Sequence, residues 1–296
     1  MNAALLSGGL VGLSLGLTGG GGAIFAVPLL IYWIGIDPRL AVSISLVTVA
    51  ATALVGAIER WRYGQVELST GLLFAASGMA AAPLGGWLGT LLPEQLLLSA
   101  FAALMLLIAT RMWVKAADPT ERALPATLDA GSGPACRRDP EGRLRMTSRC
   151  ASVLTATGLA VGLLSGLFGV GGGFLIVPAL VTFASMGVPR AVGTSLLVMT
   201  LVGAAGVASQ AAAGRGIPLD IAGGFVAGSI PGLLAGSLLG RRFTGPLLSK
   251  IFALAIVLVA TFMIAKTFLT FESKAQPAWS TCIPSRSGRA TAPRLP

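Results

Sequence analysis

Four consecutive glycines, Gly19 to Gly22, interrupt an apolar stretch near the start of the chain, and Pro28 follows them. They limit what that stretch can become, because each glycine weakens a helix by about 1 kcal/mol relative to alanine. The interruption occurs twice. Gly166-Leu167-Phe168-Gly169-Val170-Gly171-Gly172-Gly173 is followed by Pro178, as Gly16-Leu17-Thr18-Gly19-Gly20-Gly21-Gly22-Ala23 is by Pro28. Glycines 16, 19, 21 and 22 match glycines 166, 169, 171 and 172 at a spacing of 150. In lipid, a broken backbone survives only where protein buries it or where it lines a cavity. A break at corresponding places in two halves of a membrane chain points to the site of a transported ligand, with Pro28 and Pro178 as its hinges.

The surrounding sequence supplies the membrane. Of 296 residues, 54% are hydrophobic and only 11% are charged, and runs of about twenty apolar residues cross a hydrocarbon core of roughly 30 Å. About eight such spans are predicted, in an all-α integral membrane fold of two homologous repeats, each opening with a Gly-broken discontinuous or re-entrant helix. The formal charge of +10 sits in loops beside apolar spans, so it reads as membrane topology and not as a nucleic-acid face. The first 35 residues carry no basic n-region and no small-x-small cleavage site, so no cleaved signal peptide is expected. Cys136, Cys150 and Cys282 have no CxxC spacing and read as incidental, neither a metal site nor a disulfide framework. There is no histidine, which removes histidine haem ligation, the HExxH zinc site and serine-histidine catalysis together. No enzyme, catalytic residue, metal or cofactor is expected.

Along the chain, residues 1–114 form a first membrane repeat, 115–149 a hydrophilic linker, 150–270 a second membrane repeat and 271–296 a disordered tail. The linker holds seven basic and five acidic residues without an apolar period and is expected to be disordered. Each repeat follows its break with a Pro-Arg turn, Pro38-Arg39 or Pro189-Arg190, and with spans rich in small residues. Gly12 and Gly16, Gly162 and Gly166, and Gly232, Gly236 and Gly240 are spaced to let helix backbones approach closely.

Two topologies compete. If each break lies within a single crossing, sixteen of the twenty-one lysines and arginines fall on one side with both termini and the linker. If the breaks are re-entrant, the division is fourteen to seven, the termini lie outside and the halves are inverted. The positive-inside rule favours the first, with cytoplasmic termini in a multi-pass inner-membrane protein.

A glycine turn feeding a helix start exposes unpaired N–H groups at the positive end of the helix dipole, where anions bind. The expected donors are the backbones of Gly19, Gly21, Gly22 and Ala23, and of Gly169, Gly171, Gly172 and Gly173. Hydroxyls of Thr18, Ser43, Ser45, Thr194 and Ser195 add neutral donors, with Ser45 and Ser195 favoured because the repeats match them. The competing role for each hydroxyl is a bond to its own helix carbonyl. Gly166 to Gly171 is no nucleotide loop, for it lacks the Gly-Lys-Ser/Thr ending and a preceding strand.

Two apolar G-x-x-G-x-G-G-G-x-x-x-x-P elements, each with a Pro-Arg turn and small-residue spans, resemble the sulfite/sulfonate exporter (TauE/SafE) family of membrane permeases over about residues 5 to 270. The first copy departs from the pattern at Gly20 and Ala23, which stand where the second has Val170 and Gly173. The resemblance implies transport of sulfite, a sulfonate or a related organic anion. Export driven by the membrane potential is the reading adopted, with uptake of the same ligands or an anion channel as alternatives. The expected partners are that small anion and the lipid bilayer, with room for a homo-oligomer.

Overall fold

The computed structural model describes residues 2–117, 137–138, 144–145, 148–184, 186–214, 218–240 and 254–263. The chain is helical, in the order α1 (Asn2–Thr18), a 3₁₀ turn (Gly21–Phe25), α2 (Ala26–Tyr32), α3 (Pro38–Arg62), α4 (Leu68–Leu91) and α5 (Glu94–Ala117). After the linker come α6 (Ser148–Phe168), α7 (Gly173–Phe183), α8 (Val188–Ala212) and α9 (Leu219–Gly240), then α10 (Leu254–Met263). Five of these, α3, α4, α6, α8 and α9, are long and apolar enough to cross a membrane. Trp33 and Trp87 are exposed near one end of the bundle and Trp61 and Tyr63 near the other, the positions that headgroups favour.

Within the linker, β1 (Arg137–Arg138) and β2 (Leu144–Arg145) pair antiparallel. The rest of the linker's centre and the tail lie outside the described residues. Cys150 is buried and disulfide-bonded, which corrects the reading of the cysteines as incidental. A single bridge depends on closeness in space, and sequence spacing carries no record of it.

Local chemistry sets the helix ends. Asp37 caps α3, its Oδ1 accepting from the Arg39 amide at 2.9 Å with Pro38 in the first turn. Arg60 and Arg62 lie in the last turn, where the dipole favours cations. The long helices then pair through small residues. α1 lies along α9 and α6 along α4, both so close that a methyl on Gly12 would overlap the Ser229 carbonyl, and one on Gly162 the Gly78 carbonyl.

These contacts give α1, α3 and α9 a direction. Gly8, Gly12 and Gly16 of α1 meet Phe225, Ser229 and Leu233 of α9, so the two run in the same sense. Thr52, Gly56 and Glu59 of α3 meet Ser229, Leu233 and Ser237, so α3 runs that way too. Residues 19–37 must therefore travel back. Because Gly16 and Gly56 both meet Leu233, the return to Pro38 covers eighteen residues of α3, roughly 27 Å. The reading of each break as a point within one crossing does not hold. Gly22 in fact lies beside the Ser14 and Leu15 backbone, and Gly172 beside Val161 and Ser165, each already folded back along the helix it leaves.

The two halves are inverted. On α3 and α8, Ser43 meets Gln210, Leu46 meets Gly206, Gly56 meets Leu196 and Arg60 meets Gly193, which makes the helices antiparallel. Shifting by 150 residues exchanges the outer pairs with each other and the inner pairs likewise. Such a swap is a two-fold axis perpendicular to the helices, hence in the plane of the membrane.

Candidate functional site

The second break is built from left-handed backbone. Gly169, Gly171 and Gly172 all have φ of 68°, a conformation that costs an ordinary residue about 1–2 kcal/mol. The chain leaves α6 through the Gly169 amide, which donates to the Ser165 carbonyl at 2.9 Å. It enters α7 at Gly172, an N-cap without a side-chain hydrogen bond. The amides of Gly173 and Phe174 have no acceptor in their own helix, as at any helix start, and all of residues 169 to 173 are buried.

Two hydroxyls flank this loop. Val42 and Val49 of α3 lie against Gly169 and Gly171, and Ser45 shares their face at three and four residues' spacing. From the other side, Val161 and Ser165 of α6 lie against Gly172. Ser45 is fully buried and Ser165 nearly so. Their Oγ atoms are the buried side-chain polar atoms without a hydrogen-bond partner among the described residues. Leaving such a group unsatisfied costs about 1–3 kcal/mol; Ser165 lies against the N-cap Gly172, and Ser45 lies on the α3 face that packs on Gly169 and Gly171.

The first break is satisfied internally. Thr18 Oγ1 donates to the Ser14 carbonyl at 2.7 Å and accepts from the Gly22 amide at 3.1 Å. Ser195, the counterpart of Ser45, donates to the Gly19 carbonyl and the Val192 carbonyl, both at 2.8 Å. Gly19, at φ of 72°, packs on Val192, and Gly21, Gly22 and Ala23 are buried in the 3₁₀ turn. The other expected hydroxyls are also occupied. Ser43 Oγ reaches the Arg39 carbonyl and Gln210 Oε1, while Thr194 Oγ1 accepts from the Glu67 amide at 3.0 Å. Gly173 packs against Met199 and Gly20, so the two breaks touch. Pro28 lies within α2 and Pro178 within α7.

Of the residues expected at the site, the structure brings Ser45, Gly169, Gly171, Gly172 and Gly173 together. Thr18, Ser43, Thr194 and Ser195 are held in structural bonds. Ser165 escaped the sequence reading because its counterpart is Leu15, so matching the repeats passed it over. Its place one residue before the repeated spacing of Gly166 and Gly169 was the available signal.

Beside the second break, α3, α4, α5, α6 and α8 enclose a cleft of about 310 Å³, lined by Arg39, Val42, Gly89, Thr90 and Gln210 among others. A smaller lobe of about 140 Å³ adjoins it through Gly86, Gly166 and Gln210. Val42 lines the cleft and also packs on the break, since a Cβ on Gly169 would stand 2.6 Å from both its Cγ1 and its carbonyl oxygen. Val42 is thus shared by the cleft wall and the break.

Comparison with known proteins gives a consistent set of relatives. A family model described as "Sulfite exporter TauE/SafE" matches residues 4–263. A probable membrane transporter protein of Xylella fastidiosa strain 9a5c is 36% identical over 267 residues, covering 88% of this chain and 94% of its own length. The probable membrane transporter protein YjnA of Bacillus subtilis is 29% identical over 263 residues, covering 86% and 96%. A further probable membrane transporter protein, from Haemophilus influenzae, is 26% identical over 282 residues, covering 88% and 97%. No solved structure matches the chain.

Proposed function

Because this chain belongs to the sulfite exporter TauE/SafE family of membrane proteins, we propose that it is a permease which binds a small oxyanion at the second glycine break and exports it across the inner membrane. The observation that carries this reading is the pair of buried hydroxyls without a partner among the described residues, Ser165 against the N-cap Gly172 and Ser45 on the α3 face that packs on Gly169 and Gly171. An oxyanion such as sulfite or a sulfonate offers several acceptor oxygens. Two O–H groups and the amides of Gly173 and Phe174 donate to them, and the dipole of an eleven-residue helix adds its positive end. No cation has to be placed in lipid.

The driving force follows from where the acids of the described residues are. Asp37, Glu67, Glu94 and Asp220 lie at helix starts, and Glu59 lies in the last turn of α3, accepting from Ser237 Oγ at 3.0 Å. A proton-coupled carrier keeps an acid inside a span to bind its proton. A cytoplasm-negative potential alone drives an anion outward by about 2.3 kcal/mol per charge per 100 mV, close to a fiftyfold gradient for a monoanion.

Sidedness changes with the turned-back breaks. The division of lysines and arginines becomes fourteen to seven, which assigns the linker and the α3–α4 turn to the cytoplasm and both termini to the outside. That replaces the expectation of cytoplasmic termini.

Purified protein in liposomes, with sulfite or methanesulfonate flux driven by an imposed potassium diffusion potential, tests the reading. The expected result is flux that rises with the potential and drops about tenfold with either Ser45→Ala or Ser165→Ala. Native flux in the double variant would remove the second break from the site. Flux that ignores the potential and collapses with the pH gradient would overturn potential-driven export.

A further inference from the structure

The cleft beside the second break has a charge pattern of its own. Arg39 is the one charged residue among its described lining residues, and it is exposed at the mouth. One helical turn deeper, Ser43 Oγ joins the Arg39 carbonyl to Gln210 Oε1. That bond turns the carboxamide oxygen toward α3. Gln210 Nε2 has no hydrogen bond within the described protein, and it is absent from the buried unpartnered atoms, so it opens on the cleft that Gln210 lines on both lobes. Gln210 is only 5% exposed, which holds those two N–H donors in place.

The counterpart positions in the other half show that this is not a general gap between helices. There Gly193 replaces Ser43 and Arg60 replaces Gln210. Gly193 lies against the Gln65 carbonyl and Arg60 Cβ, and Arg60 Nη1 donates to Gln65 Oε1 at 2.7 Å. There Arg60 and Gln65 pack against Gly193, whereas Arg39 borders an open cleft.

We propose that the cleft is a second anion site, a vestibule in which the Arg39 guanidinium and the Gln210 carboxamide N–H pair hold the oxyanion on its way between solvent and the break. The inference rests on the anion-permease reading above. Arg39 attracts the anion at the mouth by long-range charge, and Gln210 holds it by hydrogen bonds one turn nearer Gly169. With no carboxylate among the described lining residues, nothing in the wall opposes a negative ligand. Among the described side chains, the acid near the mouth is Asp37, which is engaged by the Arg39 amide; Glu94 opens α5 three residues before the lining Leu97.

Thr90 lines the same cleft, and Thr90→Cys gives a reporter there. Spheroplasts carrying it are treated with membrane-impermeant methanethiosulfonates bearing either a sulfonate or a trimethylammonium group, with labelling of the unsubstituted chain as background. Relative to free cysteine, the sulfonate reagent is expected to be favoured about threefold or more. Arg39→Gln should erase that preference and Arg39→Lys should restore it. Methanesulfonate in the medium should slow labelling, and Gln210→Leu should abolish this protection without changing the unprotected rate. A preference that survives Arg39→Gln, or a cleft that methanesulfonate does not protect, overturns the vestibule. Its failure is separable from that of the central site. Normal flux in the Ser45→Ala, Ser165→Ala chain, with cleft preference and protection intact, would remove the break and keep the vestibule. Loss of flux there with no charge preference in the cleft would do the opposite.

Discussion

Ser45 and Ser195 occupy matching positions and do different work. Ser195 Oγ holds the Gly19 carbonyl at 2.8 Å, whereas Ser45 Oγ has no partner among the described residues. Ser195→Ala is therefore expected to lower stability by about 1 kcal/mol, read as a fall in the thermal midpoint of detergent-solubilised protein. Ser45→Ala should leave that midpoint unchanged or raise it, because it removes a buried unsatisfied group. The same variant should weaken anion protection against heating. Equal destabilisation by both substitutions would mean that Ser45 has a structural partner. The glycines of the breaks make poorer probes. A Cβ on Gly172 would sit 2.6 Å from Val161 Cγ1 at a φ of 68°, so Gly172→Leu would disturb packing before it reached a ligand.

Helix α1 holds an internal control for how its pairing with α9 works. Gly12 and Gly9 lie three residues apart, yet a methyl on Gly12 would overlap the Ser229 carbonyl while one on Gly9 would meet the Gly228 carbonyl at 3.7 Å, an ordinary contact. Gly12→Ala is expected to force the helices apart and lower the thermal midpoint by several degrees. Gly9→Ala should be neutral or slightly stabilising, since alanine favours helix by about 1 kcal/mol over glycine. Similar midpoints for the two would indicate that α1 and α9 adjust freely to each other. At this scale the sequence was readable, for the Gly12–Gly16 and Gly162–Gly166 spacings announce close approach. Which helix each would meet was not readable, because a small-residue stripe fits any partner that can lie equally near.

Across the whole molecule, inversion makes a prediction about sides. Tyr63 ends α3 and Ala213 ends α8, and both are exposed. In a chain with antiparallel α3 and α8 they lie on opposite faces of the membrane. With each break inside a single crossing, they would share one face. Tyr63→Cys is expected to react with an impermeant thiol reagent only after spheroplasts are permeabilised, and Ala213→Cys in intact ones, each above the background of the native chain. Labelling of both from the same side would refute the inverted arrangement.

The sequence by itself determined that the chain lives in a membrane, that it is helical, that it carries matched breaks 150 residues apart and that those breaks resemble a permease's. These follow from composition and local preference, since apolar length and glycine content act wherever the rest of the chain goes. Only the tertiary structure decided that the breaks turn back, that the halves are inverted and that the two breaks differ. Direction comes from which helix lies against which, as when Gly16 and Gly56 meet the same Leu233. The asymmetry is partly local, for Thr18 caps the first break through a residue four positions away where the second has Phe168. It is also partly distant, for Ser195 reaches Gly19 across the fold while Ser45 and Ser165 have no partner among the described residues. A hydroxyl becomes a ligand only if folding leaves it without a partner, and partners more than a hundred residues apart are chosen by packing.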